Sequence, residues 1–248
     1  PGLILVLLLI IKIQLLVYFN LAKMNVRNTV SDRPDLETFK GFYFILFILA
    51  AVLGGIYSGI FTPTEAGAVG AALALFFSVF VKRSGFRVLQ NSIGITTETS
   101  VNILFLILGA AMFGIMLTLS GIPEFIGEIV ASRELTLTEF ALIYLFVLVI
   151  MGMLVDSTSI LLIMVPFALP TIIDLNGDLV WFGIVSLLGV EVGLLTPPLG
   201  LSVLTIKASL KDFDISLRDI FIGSFSFAFL IFMLAVIVIL NPKLCQIF

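Results

Sequence analysis

Histidine is absent from this 248-residue sequence, and cysteine occurs once, at Cys245. The first absence excludes His-based acid–base catalysis and His-ligated metal sites. The second excludes an internal disulfide. Charge is scarce too: 13 Lys and Arg and 16 Asp and Glu make up only 12% of the residues, with a net charge of −3. Soluble domains carry about 25% charged residues, and no basic cluster here suits nucleic acid. What is present instead is apolar. Sixty per cent of the residues are hydrophobic, and mean hydropathy is +1.27. A chain so short of polar surface cannot cover itself in water, so lipid must cover it. At about 20 apolar residues per crossing, the length suggests about seven spans. Pro1-Gly2 leads straight into an apolar run with no basic residues or starting methionine ahead of it, which reads as a chain cut at its front.

Lipid offers backbone groups no hydrogen-bond partners, so long apolar runs are read as helices. Leu3–Ala22, Phe42–Phe61, Ala66–Val81, Ser100–Leu119 and Asp219–Leu240 read as spans, and Phe86–Glu98 as a short interfacial helix. Between Phe42–Phe61 and Ala66–Val81 lies Thr62-Pro63-Thr64-Glu65, either a tight turn or a capped helix start with proline in the first turn. Residues 120–139 read as a polar connection. Two stretches break the pattern. Phe140–Ile173 is apolar but interrupted by Asp156-Ser157-Thr158-Ser159, leaving two arms short for a crossing. Val180–Ile206 is interrupted at Gly193-Leu194-Leu195-Thr196-Pro197-Pro198.

Loops 23–40, 82–98 and 207–218 hold nearly all the Lys and Arg, which places them in the cytoplasm and the C-terminus outside. Charge bias alone does not decide whether the two arms of 140–173 cross fully or form a re-entrant hairpin. The two differ in the depth of Asp156, which is mid-membrane for a hairpin and near the cytoplasmic face for two crossings. The short arms, and a tip without Lys or Arg, favour the hairpin.

Asp156 is the sharpest polar feature inside an apolar run. A carboxylate near the bilayer centre costs about 2.5–3.5 kcal/mol on insertion scales. With no Lys or Arg nearby in sequence, a bound cation is an attractive partner. A helix N-cap is the alternative, and the two are compatible, because a cap at mid-membrane is how a half-helix begins. At the second break, two prolines without N–H groups unwind the helix and free carbonyl oxygens, ligands that suit a hard cation such as sodium. A simple proline kink is the plainer reading there. Glu191 stands just before this break, in a structural role or as a neutralising charge. Lys12, midway along the first run, snorkels or pairs with another subunit.

Taken together, Gly59 to Ala66 (GIFTPTEA), Asp156 to Pro170 (DSTSILLIMVPFALP), Glu191 to Gly200 (EVGLLTPPLG) and the opening Pro1-Gly2-Leu3 resemble the large membrane subunit of TRAP transporters, the family typified by C4-dicarboxylate and sialic acid uptake systems. The resemblance covers essentially the whole chain and points to the C-terminal half of that subunit. It implies an all-α polytopic membrane protein, one of two inverted repeats of an elevator-type transporter. Residues 1–138 would be scaffold helices with cytoplasmic loops. Residues 139–248 would be the transport region, with re-entrant hairpin 140–173, broken helix 180–206 and a last helix 219–240.

By the same resemblance, Asp156, Ser157 and Thr158 would face Gly193, Thr196 and Pro197 around one sodium ion, the coupling ion. No other metal or cofactor is implied, and the substrate-binding residues stay unassigned. The implied function is sodium-coupled, binding-protein-dependent import of a small organic anion across a bacterial inner membrane. The partners would be a small TRAP membrane subunit and a periplasmic solute-binding protein. The alternative is a channel or pore subunit using the broken helices as a filter. An enzyme is not expected, because no convincing nucleophile–base pair is present.

Overall fold

A computed structural model describes residues 1–19, 36–81, 85–210 and 215–245. Among the described residues the secondary structure is entirely helical, and the chain is an all-α polytopic membrane protein. Among the described residues, four helices are long and apolar enough to cross a membrane: Pro63–Val81, Phe86–Leu119, Ser157–Asp174 and Leu217–Leu240. Much of the basic character used to orient the chain (Lys23, Arg27, Arg33, Lys82, Arg83 and Lys211) lies outside the described residues.

The chain packs as two compact units, Lys23–Asn102 and the combination of Pro1–Ala22 with Ile103–Phe248. This division follows packing. It is a different matter from the scaffold and transport roles expected for 1–138 and 139–248.

In the first unit, α2 (Leu36–Tyr57) and α3 (Pro63–Phe76, continued by a π-helical turn to Val81) form an antiparallel pair. Phe44 stacks on Phe77 with ring centroids 3.8 Å apart. Both readings of Thr62–Glu65 hold, since a short turn over 58–62 leads into a capped helix start. The Thr62 hydroxyl accepts from the Glu65 N–H while the Glu65 carboxylate accepts from the Thr62 N–H, with Pro63 in the first turn. α4 runs unbroken from Phe86 to Leu119, 34 residues and about 51 Å. The expected separation of an interfacial helix ending at Glu98 from a span starting at Ser100 is therefore corrected. No proline or cap interrupts the segment. Ser92, Thr96, Thr97 and Thr99 each return their hydroxyl proton to the carbonyl four residues back, so these polar side chains sit in the helix without ending it.

The second unit holds the core. The connection after α4, read as polar from the sequence, contains an amphipathic helix, α5 (Ile122–Ser132), with Glu124 and Glu128 exposed and Val130 buried. A helical hairpin follows: α6 (Leu137–Gly152) and α7 (Ser157–Asp174), joined by Met153–Asp156. Next come α8 (Leu179–Leu194), α9 (Leu201–Ser209) and α10 (Leu217–Leu240). Each of α6, α7, α8 and α10 starts on a side-chain cap, from Thr136, Asp156, Asp178 and Ser216 respectively. Thr136 and Ser216 add the reciprocal carboxylates of Glu139 and Asp219.

α6 and α8 lie parallel and in close contact. Tyr144 meets Phe182 and Ser186, Leu148 meets Gly189, and Gly152 meets Gly193. The buried Ser186 hydroxyl donates to the Phe182 carbonyl (2.8 Å), so its bond to Tyr144 (3.1 Å) must be donated by the phenol. α10 runs antiparallel to α8. Its carbonyl at Val238 lacks a helical donor because Pro242 has no N–H, and the buried Trp181 indole donates to it at 2.9 Å. Helix α1 (Gly2–Tyr18) lays Ile4, Leu5 and Leu8 against this core.

A methyl group on Gly193 would lie 2.5 Å from the Gly152 Cα and 2.6 Å from the Val149 carbonyl oxygen. Both are backbone atoms that move only if the helices part. Gly193→Ala is therefore expected to destabilise the protein by about 1–3 kcal/mol, the usual cost of overpacking. Gly183→Ala, whose Cβ meets nothing within 4 Å, is expected to be neutral or stabilising by up to about 1 kcal/mol. Thermal unfolding in detergent micelles checks this, and equal midpoints for the two variants would contradict the α6–α8 contact.

Candidate functional site

The site is built where α6 and α8 end together. At this level one chain leaves α6 through Met153–Val155 into the capped start of α7. The other leaves α8 through Leu195–Leu199 into α9.

Asp156 is the N-cap of α7. One carboxylate oxygen accepts from the Ser159 N–H at 3.0 Å, and the other accepts from the Ser159 hydroxyl at 2.6 Å. Asp156 and Thr158 are exposed and Ser157 is half-buried. The capping role read from sequence is thus present, while the carboxylate keeps its outward lone pairs free.

The second break falls between α8 and α9, after Leu194. Pro197 and Pro198 withhold the N–H groups that the carbonyls of Gly193 and Leu194 would receive in a continuous helix. Gly193 regains a donor from the Thr196 N–H at 2.9 Å, while the one proton of the Ser224 hydroxyl of α10 is shared between the Leu195 carbonyl at 3.3 Å and its own-helix Phe221 carbonyl at 3.1 Å. The Thr196 hydroxyl donates to the Val192 carbonyl at 2.6 Å. α9 then begins at Gly200 without a side-chain cap, in the left-handed conformation (φ +53°), with the Phe221 ring filling the place a side chain would take. Its first N–H groups have no side-chain acceptor.

Of the six residues expected around one cation, Gly193 packs on the hairpin, through Gly152. Asp156, Ser157 and Thr158 follow this contact on the hairpin side, and Thr196 and Pro197 follow it on the other. No hydrogen bond joins the two groups. Glu191 is exposed, outside the buried crossing. Lys12 has its ammonium 3.6 Å from the centre of the Phe227 ring, buried and without a hydrogen-bond partner. Among the described residues no three Asp, Glu or Cys side chains come together as metal ligands. A cation here would rest on carbonyls, hydroxyls and one carboxylate, the oxygen set of a hard ion.

Sequence reasoning missed Gly152 and Gly189, the partners that make the crossing possible. Gly189 and Gly193 stand four apart, a spacing that brings helix backbones together in membranes. That signal was available. Gly152 carried none, being a lone glycine opposite a partner 41 positions away.

The whole length of the described fold matches one family. Residues 1–244 fit the family model described as "Tripartite ATP-independent periplasmic transporter, DctM component". The chain belongs to the DctM family. It is 34% identical over 213 residues to the C4-dicarboxylate TRAP transporter large permease protein DctM of Pseudomonas aeruginosa, covering 84% of this chain and 48% of that protein. It is 37% identical over 159 residues to the protein of the same description from Rhodobacter capsulatus, covering 64% and 36%. The sialic acid TRAP transporter large permease protein SiaM of Vibrio cholerae is 30% identical over 184 residues, covering 71% and 42%. The chain spans about half the length of the relatives it matches. All three relatives are described as permeases, in keeping with the non-enzymatic reading of this DctM-family sequence.

Replacing the Asp156 cap isolates its structural share. Asp156→Ala is expected to cost about 1 kcal/mol at the start of α7, and Asp156→Asn, which keeps an acceptor, markedly less. Hydrogen exchange at the Ser159 amide reads this directly, with a rise of about fivefold for the alanine variant. Unchanged exchange would mean the cap does not hold that turn.

Proposed function

We propose that this chain is part of the large membrane subunit of a sodium-coupled TRAP transporter of the bacterial inner membrane, importing a small organic anion with a small membrane subunit and a periplasmic solute-binding protein. In this reading residues 139–248 form the transport region, α6 and α7 form a hairpin that dips into the bilayer and returns, and the C-terminus lies on the periplasmic side. Membership of the DctM family supports the transporter class. The observation that carries the ion site is the meeting of Gly152 with Gly193, which sets a carboxylate-capped helix start beside a proline-broken helix end.

Sodium takes oxygen ligands, and this junction offers them: the Asp156 carboxylate, the hydroxyls of Ser157 and Thr158, and carbonyls of the Gly193–Pro197 break. Binding there would tie the hairpin tip to the break. The uncapped N-terminus of α9 supports the choice of a carboxylate solute, since free N–H groups at a helix start favour an anion. At 16 residues, or about 24 Å, α6 is short for a hydrocarbon core of about 30 Å, which supports a re-entrant arm. At 18 residues, α7 is close to spanning length, so the pair is asymmetric.

The test is uptake of a panel of organic acids into proteoliposomes holding the complete transporter, at varied sodium. Saturable uptake driven by a sodium gradient is expected. Asp156→Asn keeps the cap but removes the charge, and is expected to raise the half-saturating sodium concentration about tenfold, the equivalent of one charge-assisted contact of about 1.5 kcal/mol. Unchanged sodium dependence would remove Asp156 from the site, and non-saturating, sodium-independent flux would favour a pore.

A further inference from the structure

Prolines free carbonyls at three places in the second unit, and the fold answers one of them fully and one in part. Trp181 serves the carbonyl freed by Pro242. The Thr196 N–H serves the Gly193 carbonyl freed by Pro197. The third place is α7, which carries Pro166 and Pro170 inside the helix. A proline has no N–H for the carbonyl four residues earlier, so Leu162 and Pro166 lose their helical donors. Among the described residues no side chain donates to either carbonyl.

These carbonyls do not face the core. Pro166 and Pro170 are exposed, whereas Ile160, Ala168 and Ile172 on the other side of α7 are buried. The outer face looks onto a gap against the second half of α4. A cavity of about 520 Å³ there is lined by Leu162, Pro166 and Phe167 of α7 and by Ala110, Gly114 and Thr118 of α4. A second cavity of about 260 Å³ continues it along Leu162 and Ile163 to Ser159, the residue bonded to Asp156. Gly109 and Gly114 leave room on the α4 side, where an added side chain would meet nothing within 4 Å.

Lipid cannot supply donors to such carbonyls, and non-helical or unsatisfied backbone at membrane depth persists only where protein or water answers it. We propose that the gap between α4 and the outer face of α7 is a water-filled crevice within the membrane, leading to the hairpin tip at Ser159. Water bonded to the Leu162 and Pro166 carbonyls takes the place of the missing N–H groups. Resting on the transporter reading, this crevice is also the polar solute's route to the tip. Its walls are otherwise mostly apolar, with Phe105, Phe113 and Ile115 of α4 among them, so they offer the solute few polar contacts to hold it.

The test is thiol accessibility in the complete transporter, in a Cys245→Ser background. Leu162→Cys and Gly114→Cys are treated with a membrane-impermeant, charged methanethiosulfonate reagent. Phe229→Cys reports a position on an exposed apolar face of α10, and Ala235→Cys a buried one. A thiol must ionise to react, and an apolar setting suppresses this, so water contact should accelerate labelling about tenfold or more over both references. Gly114→Cys enters open space, so the experiment does not depend on Leu162→Cys folding. Labelling of both positions at the reference rate overturns the crevice, and means that lipid or another part of the protein covers this face. The readout needs no uptake. Failure of transport with rapid labelling would sink the carrier and leave the crevice, and the reverse outcome would do the opposite.

Discussion

The contact on which the second unit depends is backbone against backbone, Gly152 on Gly193. Two apolar helices in a membrane gain little from hiding hydrophobic surface, since lipid tails are as apolar as leucine. They gain instead from close packing, and two glycines bring helix axes nearer than any side chain allows. Once α6 and α8 meet there, Gly189 accepts Leu145 and Leu148, and Tyr144 reaches Ser186 through a buried hydrogen bond. Because the helices are parallel, their C-terminal ends finish at one level. Both breaks in the helical pattern are therefore brought to one place by a single crossing.

That placement also explains how proline is used. A membrane helix tolerates proline when some other group answers the carbonyl it orphans. At the end of α10 the answer is the Trp181 indole, so the site is sealed and structural. At the end of α8 the answer is partial: the Gly193 carbonyl finds a donor, the Leu195 carbonyl competes with Phe221 for the Ser224 hydroxyl, and α9 begins without a cap.

Much of this was legible in the sequence. The low charge and long apolar runs gave the membrane class, and the interruptions at Asp156 and at Thr196-Pro197-Pro198 gave the hairpin turn and the helix break. These are local signals, set by capping chemistry and by a missing N–H. The continuity of α4 was not legible, because Thr and Ser runs read as polar connectors unless their hydroxyls are known to turn back onto the helix. Nor was α5, where two glutamates masked an amphipathic period. The Gly152–Gly193 contact was half-legible: the Gly189–Gly193 spacing marks a close helix approach, but nothing in the chain names the partner. Pairing at a distance is a tertiary fact, and one glycine looks like another until its neighbour is known.

The helix ends carry the last step. α6 and α8 each finish near the crossing with carbonyls outward and a partial negative charge, while α7 and α9 start beside them with N–H groups outward and a partial positive charge. In the proposed reading these ends sort two ions of opposite sign. A cation alone would be repelled by the start of α7, but the Asp156 carboxylate stands on that start and reverses its sign locally. No such residue caps α9, so its start stays positive and open to an anion. One capped and one uncapped half-helix thus make the two sides of the junction chemically unlike. The same carboxylate that begins α7 would decide which side the sodium takes. Cap and ion ligand are then one role: the carboxylate that accepts the first hydrogen bonds of α7 also supplies the charge that the break alone lacks.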